Sequence, residues 1–429
     1  MSAEEKKRDL LVAQDIGFNR STRAIDNGLQ YFSVDDLRRF VACLAPLERI
    51  PGSREPCGPP FNRHTRIPVW MTALVWSFVA VGTVALLPVQ IGAGMALLSK
   101  GRWKAISEEL PRPNLQMINW YWDLTTFIKA PLRLVRESVA RGAALCVNRR
   151  GDFAVKYSGY AVMSHVWAET MGWQTPDAWG PVDLSLRRMG VSRAHFLRFF
   201  DRCGAEWLWV DVLAMPEALE DMSPSEKQEA EELRAGVINC LRPIYNRANS
   251  VVVLDSLLLR LGTRSPVDVG VALCLGAWMS RLWTYVEARL ATRVVLKTRD
   301  HSFDLDAVIG FFGRAVNNED HRYFPLLMRL HSLRDPSVTG VPFETEAAVE
   351  SAHYACQYRY TDVEIDSARV LFPLLGLKWE DEWTLRQGFD RIVDKFPGQT
   401  TWVQEWCRYR GIDWTPSERE PTTSQGPPA

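Results

Sequence analysis

The chain has 429 residues, of which 47% are apolar and 24% charged, a globular composition with room for two or three domains of roughly 100–200 residues each. Its 51 basic residues balance its 51 acidic residues. This balance argues against general electrostatic binding to nucleic acid, because such binding needs a basic surface. The eight cysteines form neither a CxxC motif nor a Cys/His cluster, so they fit reduced thiols in a cytosolic chain better than a disulfide framework or a zinc site.

Residues 1–66 predict an N-terminal helical or irregular region without the apolar stretch of a secretory signal. A hydrophobic segment at 67–99 contains no charged residue, and its first part is long enough to cross a hydrocarbon core of about 30 Å as one helix. The sequence favours a transmembrane helix. A buried helical hairpin is the alternative, because Gly, Thr and Ser occur within the segment. Basic residues flank both ends, so the positive-inside rule gives no orientation.

Residues 100–150 predict an amphipathic helical linker. This linker is basic and contains an aromatic cluster at Trp120, Tyr121 and Trp122. It either lies on a membrane surface or covers the domain that follows.

Short apolar runs alternate with helical stretches over 151–300. The runs are nearly uninterrupted, as expected for strands covered on both faces, and they lie at Tyr160–Val166, Trp207–Leu213, Ser250–Leu254 and Arg293–Leu296. Helices are predicted between them at Asp183–Cys203, Ser223–Arg247 and Val267–Ala291. The alternation predicts an α/β fold with a doubly wound, mainly parallel sheet. Such a sheet binds ligands in the crevice beyond the carboxyl ends of its strands.

An α-helical C-terminal extension is predicted over 301–413, where strand signals fade. Its helices are expected near Arg322–Leu333, Thr345–Tyr358, Ile365–Leu375 and Thr384–Lys395. The tail at 414–429 is rich in Pro, Ser, Thr and Gly and is predicted to be disordered.

Four sequence blocks, in order, resemble those of the heterokaryon-incompatibility (HET) domain of fungal proteins. The blocks are YAVMSHVW at 160–167, WVD-x-L at 209–213, Ile-Tyr-x-x-Ala at 244–248, and RLWTYVE at 281–287. A looser fifth match comprises Arg359, Thr361 and Asp366, followed by PLLGL ending at Leu377.

The blocks also depart from the family pattern at three places. Ala168 replaces a usual glycine, residues 214–217 replace a Cys-Ile-x-Gln block, and Val286 replaces a glutamine. The last two departures favour a non-catalytic domain or a degenerate enzyme.

The resemblance implies a flavodoxin-like or TIR-like fold and a role in fungal self/non-self recognition, where activation of the domain triggers cell death. HET domains are similar to TIR domains, some of which cleave NAD with the glutamate of a Trp-x-x-x-Glu motif. Glu287 falls at that place. The resemblance therefore implies NAD as a candidate substrate, Glu287 as a candidate catalytic carboxylate, and no required cofactor.

Trp283 and Glu287 lie four residues apart, so they share one face of a helix. No basic residue lies three or four positions from Glu287, and a carboxylate against an indole could stabilise an oxocarbenium-like ribose as nicotinamide departs. The alternative is that Trp283 packs in the core while Glu287 faces water or pairs with a distant arginine.

Further candidate substrate-binding residues come from the same blocks. Ser164 and His165 end the first strand, and Asp211 stands in an apolar run where an unpaired charge would be costly. Each can instead be structural: Asp211 could cap a loop or helix, and His165 could be a satisfied structural histidine. The remaining candidates are Trp167, Tyr245 and Arg281. Trp167 could stack on a base or seal the core, and Tyr245 is expected to pack beneath the third strand with a locally bonded hydroxyl.

Three functions follow from these patterns. The domain could be an NAD glycohydrolase, a non-catalytic module acting through self-association, or a regulator of a membrane-active N-terminal helix. The expected partners are a second copy of the chain, an unidentified protein activator and a membrane, but not nucleic acid. The domain is expected on the cytoplasmic side of a membrane, with a soluble cytoplasmic protein as the alternative.

No glycine-rich phosphate loop follows the first strand, which argues against both a Walker A loop and a dinucleotide-binding fingerprint.

Overall fold

A computed structural model describes residues 127–166, 191–216, 222–262, 264–334, 359–361, 363–380 and 382–415, together with six isolated positions at 77, 81, 218, 352, 355 and 356. The predictions for 1–66, for Trp167 and for the tail at 414–429, apart from its first two residues, lie outside these residues. So does the hydrophobic segment at 67–99, apart from Ser77 and Val81. Within the described part of the chain, no helix combines the length and apolar character that crossing a membrane requires.

Nine strands are described, and seven of them form one mixed sheet. In chain order the strands are β1 (Phe127–Ile128), β2 (Ala144–Asn148), β3 (Phe153–Lys156), β4 (Ala161–His165), β5 (Val191–Ser192), β6 (Trp207–Val210), β7 (Ser250–Leu254), β8 (Val294–Lys297) and β9 (Ser302–Asp304). The order across the large sheet is β3-β2-β6-β4-β7-β8-β9, while β1 and β5 pair separately.

The four central strands, β6, β4, β7 and β8, run parallel, and antiparallel strands flank them on both sides. From β4 the chain first adds β6 on one side and then β7 on the other. The winding direction therefore reverses at β4, which places a topological switch point between β4 and β7. In open α/β sheets, ligands bind at such points, beyond the carboxyl ends of the strands.

Fifteen α-helices are described around and beyond the sheet. Those of the α/β part are α1 (Leu132–Arg141), α2 (Arg193–Cys203), α3 (Asp211–Ala214), α4 (Pro224–Asn239), α5 (Leu241–Arg247), α6 (Ser256–Arg260), α7 (Pro266–Leu275), α8 (Ala277–Ser280) and α9 (Leu282–Leu290). The others are α10 (Leu305–Asn317), α11 (Phe324–Leu333), α12 (Asp366–Arg369), α13 (Leu371–Leu375), α14 (Leu385–Lys395) and α15 (Thr400–Tyr409), with short 3₁₀ helices at His321–Tyr323 and Pro397–Gln399.

Helices cover both faces of the sheet, which explains why its central strands are continuous apolar runs. Side chains alternate between faces along a strand: Val162 packs in one core with α4, α5 and α9, whereas Ala161 and Met163 pack in a second core with Phe196 and Phe200 of α2. The predicted α/β class with a mainly parallel centre is confirmed.

The sheet begins earlier than the sequence indicates. Strand β2 lies inside the stretch predicted as a helical linker, and its residues Ala144–Val147 are buried. Its neighbours are antiparallel, so it lies where the parallel core ends. The run predicted as one strand at Trp207–Leu213 is also divided, because α3 begins at Asp211 directly after β6.

The stretch predicted as one helix at Val267–Ala291 is three helices, α7, α8 and α9. Two residues with extended backbone separate them: Gly276 (φ −69°, ψ 154°) and Arg281 (φ −85°, ψ 145°). At the second break the backbone of Ser280 and Leu282 hydrogen-bonds Tyr360. The partner of this break lies far along the chain, so local pattern does not reveal it.

The predicted start of α4 is confirmed. Ser223 is the N-cap, Pro224 is the first helical residue, and Glu226 completes a capping box with Ser223, which satisfies amide groups at the open helix end.

Candidate functional site

Polar residues follow the carboxyl ends of three neighbouring parallel strands. Ser164 and His165 end β4, Asp211 comes directly after β6, and Asp255 comes directly after β7. Because these strands are adjacent and parallel, their carboxyl ends meet at one edge of the sheet. The polar residues therefore gather beside the switch point.

Glu287 of α9 reaches this edge. Ser164 donates a hydrogen bond from its hydroxyl to Oε2 of Glu287, and the hydroxyl of Tyr245, on α5, also hydrogen-bonds the Glu287 side chain. Glu287 is partly buried. Three elements, β4, α5 and α9, thus converge on one carboxyl group.

The surroundings of Glu287 disfavour its charged form. Burial raises its pKa from 4.5 to about 8, and the negative charge of Asp211 acts in the same direction. The hydrogen bonds from Ser164 and Tyr245 and the positive charge of Arg281 lower the pKa, but by less than burial raises it. A carboxyl group of this kind changes its charge near neutral pH instead of in acid.

The side chains of Ser164 and His165 lie on opposite faces of the sheet, because neighbouring residues on a strand point in opposite directions. The Nε2 atom of His165 lies 3.0 Å from Oδ1 of Asp211, and the His165 side chain is fully buried while that of Asp211 is 21% exposed. Asp211 also accepts a hydrogen bond from the amide of Val212 at 2.7 Å. His165 therefore holds the carboxylate of Asp211 at the sheet edge.

Tyr245 packs in the core as predicted, edge-on to Trp209 with ring centroids 5.7 Å apart. Its hydroxyl bonds Glu287 from another element instead of a local group. Burial raises the pKa of Tyr245 well above its usual value, and the charges of Glu287 and Asp211 add to this. Tyr245 thus remains a neutral donor towards Glu287.

The structure does not bring Trp283 to this group. Although Trp283 lies one turn from Glu287 on α9, its indole N–H donates to Oδ2 of Asp366 at 2.8 Å, on the helical extension. The indole beside Ser164 belongs to Trp278, whose Nε1–H donates to the Ser164 hydroxyl oxygen at 2.6 Å. Arg281 occupies the N-cap position of α9 without a side-chain cap hydrogen bond, and its positive charge lowers the pKa of Glu287.

Sequence reasoning missed Trp278 and Asp255. Trp278 is 0% exposed, as is Asp255, whose carboxylate accepts the amides of Leu257 and Leu258 and thereby caps α6. Burial raises the pKa of Asp255. A signal was present: Asp255 follows an apolar strand directly, just as Asp211 does, and a charge there is costly unless it is bonded.

The described residues contain no group of three His, Cys, Asp or Glu side chains placed to hold a metal ion. The six described cysteines are free, and all but Cys240 are buried, so they pack as small apolar side chains. The groups gathered at the sheet edge are three carboxyl groups, Glu287, Asp211 and the fully buried Asp255, with hydroxyl donors and one arginine.

Comparison with known proteins finds no matching family model, no similar characterised protein and no similar solved structure.

Proposed function

We propose that the α/β part is a HET-like, TIR-like signalling domain that cleaves NAD with Glu287 as the catalytic carboxylate. The observation that carries the proposal is the position of Glu287: a partly buried carboxyl group at the carboxyl edge of the parallel strands, held by Ser164 and Tyr245. The parallel strand order, which reverses at β4, supports the TIR-like comparison. The role in fungal self/non-self recognition and cell death rests on the resemblance of the sequence blocks.

The reaction breaks the bond between C1′ of the ribose and the nicotinamide nitrogen. Nicotinamide leaves neutral with the bonding electrons, water adds to C1′, and one proton is released. Ionised Glu287 stabilises the positive charge that develops on the ribose and accepts the proton of the attacking water. A carboxylate with a pKa of about 8 suits this step, because a general base works best with a pKa near the operating pH.

Asp211 and Arg281 fit the remaining parts of the substrate. Asp211 is held by His165 and is partly exposed, so its carboxylate can accept hydrogen bonds from ribose hydroxyls. Arg281 supplies positive charge beside Glu287, which a diphosphate needs. Ser164 and Tyr245 hydrogen-bond Glu287, and Trp283 ties α9 to the extension through Asp366 instead of stacking on the substrate.

The test measures nicotinamide and ADP-ribose release by the full-length chain and by a Glu287→Gln variant. Gln mimics the protonated side chain, so the fold should persist while the rate falls by about 100-fold or more. Glu229→Gln is the matched control, because Glu229 lies on α4 in an exposed pair with Arg136. Equal product release by wild type and a folded Glu287→Gln variant rejects the catalytic role.

A non-catalytic interaction module is the second candidate, and an exposed apolar pair favours it. Phe324 and Met328 lie one turn apart on α11 and are 50% and 52% exposed. Apolar side chains exposed together are typical of interaction surfaces. Self-association of the full chain that a Phe324→Ser/Met328→Ser variant abolishes, without NAD loss in the wild type, would favour this function.

A further inference from the structure

Trp278 lies on the short helix α8 and contacts Ser164 of β4. Its indole N–H donates to Oγ of Ser164 at 2.6 Å, and its side chain is 0% exposed. The hydroxyl of Ser164 in turn donates to Oε2 of Glu287. A chain of two hydrogen bonds therefore leads from a buried indole to the carboxyl group.

The chemistry of the indole fixes the direction of this chain. An indole N–H can donate a hydrogen bond but cannot accept one, whereas a serine hydroxyl has one proton and two acceptor lone pairs. Ser164 must therefore be the acceptor towards Trp278. Its single proton is then free to be donated to Glu287, because a hydroxyl proton turned towards the indole would meet another donor.

A second carboxylate holds Trp278 in place. Oδ2 of the buried Asp255 accepts the backbone N–H of Trp278 at 3.0 Å, while Oδ1 accepts the amides of Leu257 and Leu258. Gly276 makes room for this contact, because a Cβ at that position would lie 2.5 Å from Oδ2 of Asp255. The extended backbone of Gly276 thus lets α8 begin against the end of β7.

Four other groups act on Glu287 from the elements around it. Ser164 on β4 and Tyr245 on α5 donate hydrogen bonds, Asp211 on α3 adds negative charge, and Arg281 at the start of α9 adds positive charge. Only one of the two hydroxyl donors, Ser164, also accepts a hydrogen bond from a group that can only donate. That group is the indole N–H of Trp278, and it directs the Ser164 proton away from itself.

We propose that Trp278 is a positioning residue that keeps the hydroxyl proton of Ser164 directed at Glu287, with Asp255 and Gly276 fixing the indole. Its importance for catalysis rests on the proposed function of Glu287, whereas the hydrogen-bond direction does not. Ser164 directed in this way stabilises ionised Glu287 and keeps the carboxylate oriented towards the sheet edge.

The direct test follows the indole ¹⁵N–¹H signals of the full-length chain by NMR as the pH is raised. The Trp278 signal, identified by its loss in Trp278→Phe, should shift with a midpoint near the pKa of Glu287, about 8. The shift should vanish in Glu287→Gln and in Ser164→Ala. Trp283 is the matched control, because its indole donates to Asp366 instead. A Trp278 signal that titrates unchanged in Ser164→Ala overturns the proposal.

A second measurement follows the Glu287 carboxyl carbon by ¹³C NMR in the same chain. Trp278→Phe no longer holds the Ser164 hydroxyl proton towards Glu287, so ionised Glu287 loses part of this hydrogen bond and the midpoint should rise by about 1 pH unit. If Trp278→Phe does not fold, Ser164→Ala replaces it, and the same upward shift is expected. An unchanged midpoint in a folded variant overturns the proposal.

The NAD assay separates this inference from the proposed function. If the wild type releases nicotinamide, Trp278→Phe should lower the rate near neutral pH by about 3- to 10-fold and regain most of it at higher pH. A purely structural loss would lower the rate equally at each pH, and that result counts against positioning. If the wild type releases no nicotinamide, the proposed function fails while the two NMR measurements still decide the role of Trp278.

Discussion

Glu287 holds a proton in the folded chain over a pH range in which the unfolded chain has lost it. Its pKa is about 8 when folded, against 4.5 for an ordinary glutamate. The group's contribution to the free energy of unfolding is therefore complete below about pH 4.5 and disappears as the pH rises through 8, a difference of at most roughly 5 kcal/mol.

Replacing Glu287 with Gln should remove this pH dependence. We expect the free energy of unfolding of the wild type to fall more steeply than that of Glu287→Gln between about pH 5 and about pH 9, so that the variant gains relative stability at the alkaline end. Denaturant unfolding at several pH values measures this, with Glu229→Gln as control. Parallel curves for wild type and Glu287→Gln would contradict the buried, protonated state of Glu287.

The pair of His165 and Asp211 gives a second prediction. The His165 ring is fully buried and its Nε2 atom lies 3.0 Å from Asp211, so Asp211→Ala deprives a buried polar atom of this partner. We expect the free energy of unfolding to fall by about 1–3 kcal/mol. Asp211→Asn keeps a hydrogen-bonding oxygen and should cost clearly less. Equal losses in the two variants, measured by denaturant unfolding, would show that the His165 contact is unimportant.

Some site residues can be predicted from their position at the end of a strand, whereas others reach the site only through long-range packing. Ser164, His165 and Asp211 could be predicted because polar residues at the ends of buried strands reach the carboxyl edge of a sheet. Trp278 could not, since its role depends on a helix break held by Asp255. Trp283 instead donates to Asp366 of the extension, so the residue singled out by spacing is not the indole beside Ser164.

Helix α9 is held at both ends by buried arginines of the extension. At its start, Arg359 donates to the carbonyl of Arg281 at 3.0 Å and to Thr284 Oγ1 at 3.2 Å. At its end, Arg334 donates to the carbonyls of Ala288 and Ala291 at 2.7 and 2.6 Å. The last carbonyls of a helix lack partners within it, so these contacts complete α9 and fix the element that carries Glu287.

Of the two arginines, Arg334 is expected to contribute more to the free energy of unfolding. It is 1% exposed and also forms a two-pronged ion pair with Asp306 of α10, at 2.7 and 3.1 Å. Arg334→Met leaves Asp306 and the α9 carbonyls without this partner, so the free energy of unfolding should fall by about 3–5 kcal/mol. Chemical denaturation of the full chain measures the loss.

Arg322→Met is the matched control for Arg334→Met. Arg322 makes the same kind of two-pronged pair, with Asp320, but its side chain is 78% exposed. Solvent screens such a pair, so little change is expected. Similar effects of the two substitutions would contradict the conclusion that burial makes Arg334 important.

Helix boundaries that depend on a distant partner were the least predictable feature at the scale of elements. The N-cap at Ser223 and the helix after Thr384 follow from local residues and were predicted correctly. The break at Arg281 depends on backbone pairing with Tyr360, and nothing in the apolar run around it indicates an extended residue. Local capping chemistry is visible in sequence, whereas a tertiary bridge is not.

The sheet and the helical extension share one hydrophobic core. A single buried cluster includes Val162 and Val251 of the sheet, Leu282 of α9, and Phe372 and Trp406 of the extension. The strand pattern of the sequence ends near 300, whereas the sheet continues to β9 (Ser302–Asp304). The sequence does not show that the two parts pack as one unit, because an apolar helical face does not reveal which element it packs against.

Polar contacts tie the same two parts together. The Asn239 side chain, at the end of α4, exchanges two hydrogen bonds with the backbone of Trp379, at 2.8 and 2.7 Å. Trp379 itself stacks edge-on against Phe372 with ring centroids 4.9 Å apart. The extension thus completes the surface of α4 as well as that of α9.

Removing the extension should therefore unfold the α/β part instead of freeing an independent domain. A chain ending at residue 300 loses Arg334, Arg359 and the apolar side chains that cover α9, and it exposes part of a core that the parallel strands also use. We expect the full chain to unfold in one cooperative transition and the shortened chain to lose that transition. A chain ending at Thr415 keeps every described residue and should unfold like the full chain. Circular dichroism during thermal unfolding distinguishes these outcomes, and a cooperative transition retained by the chain ending at residue 300 would mean that the α/β part is stable without its extension.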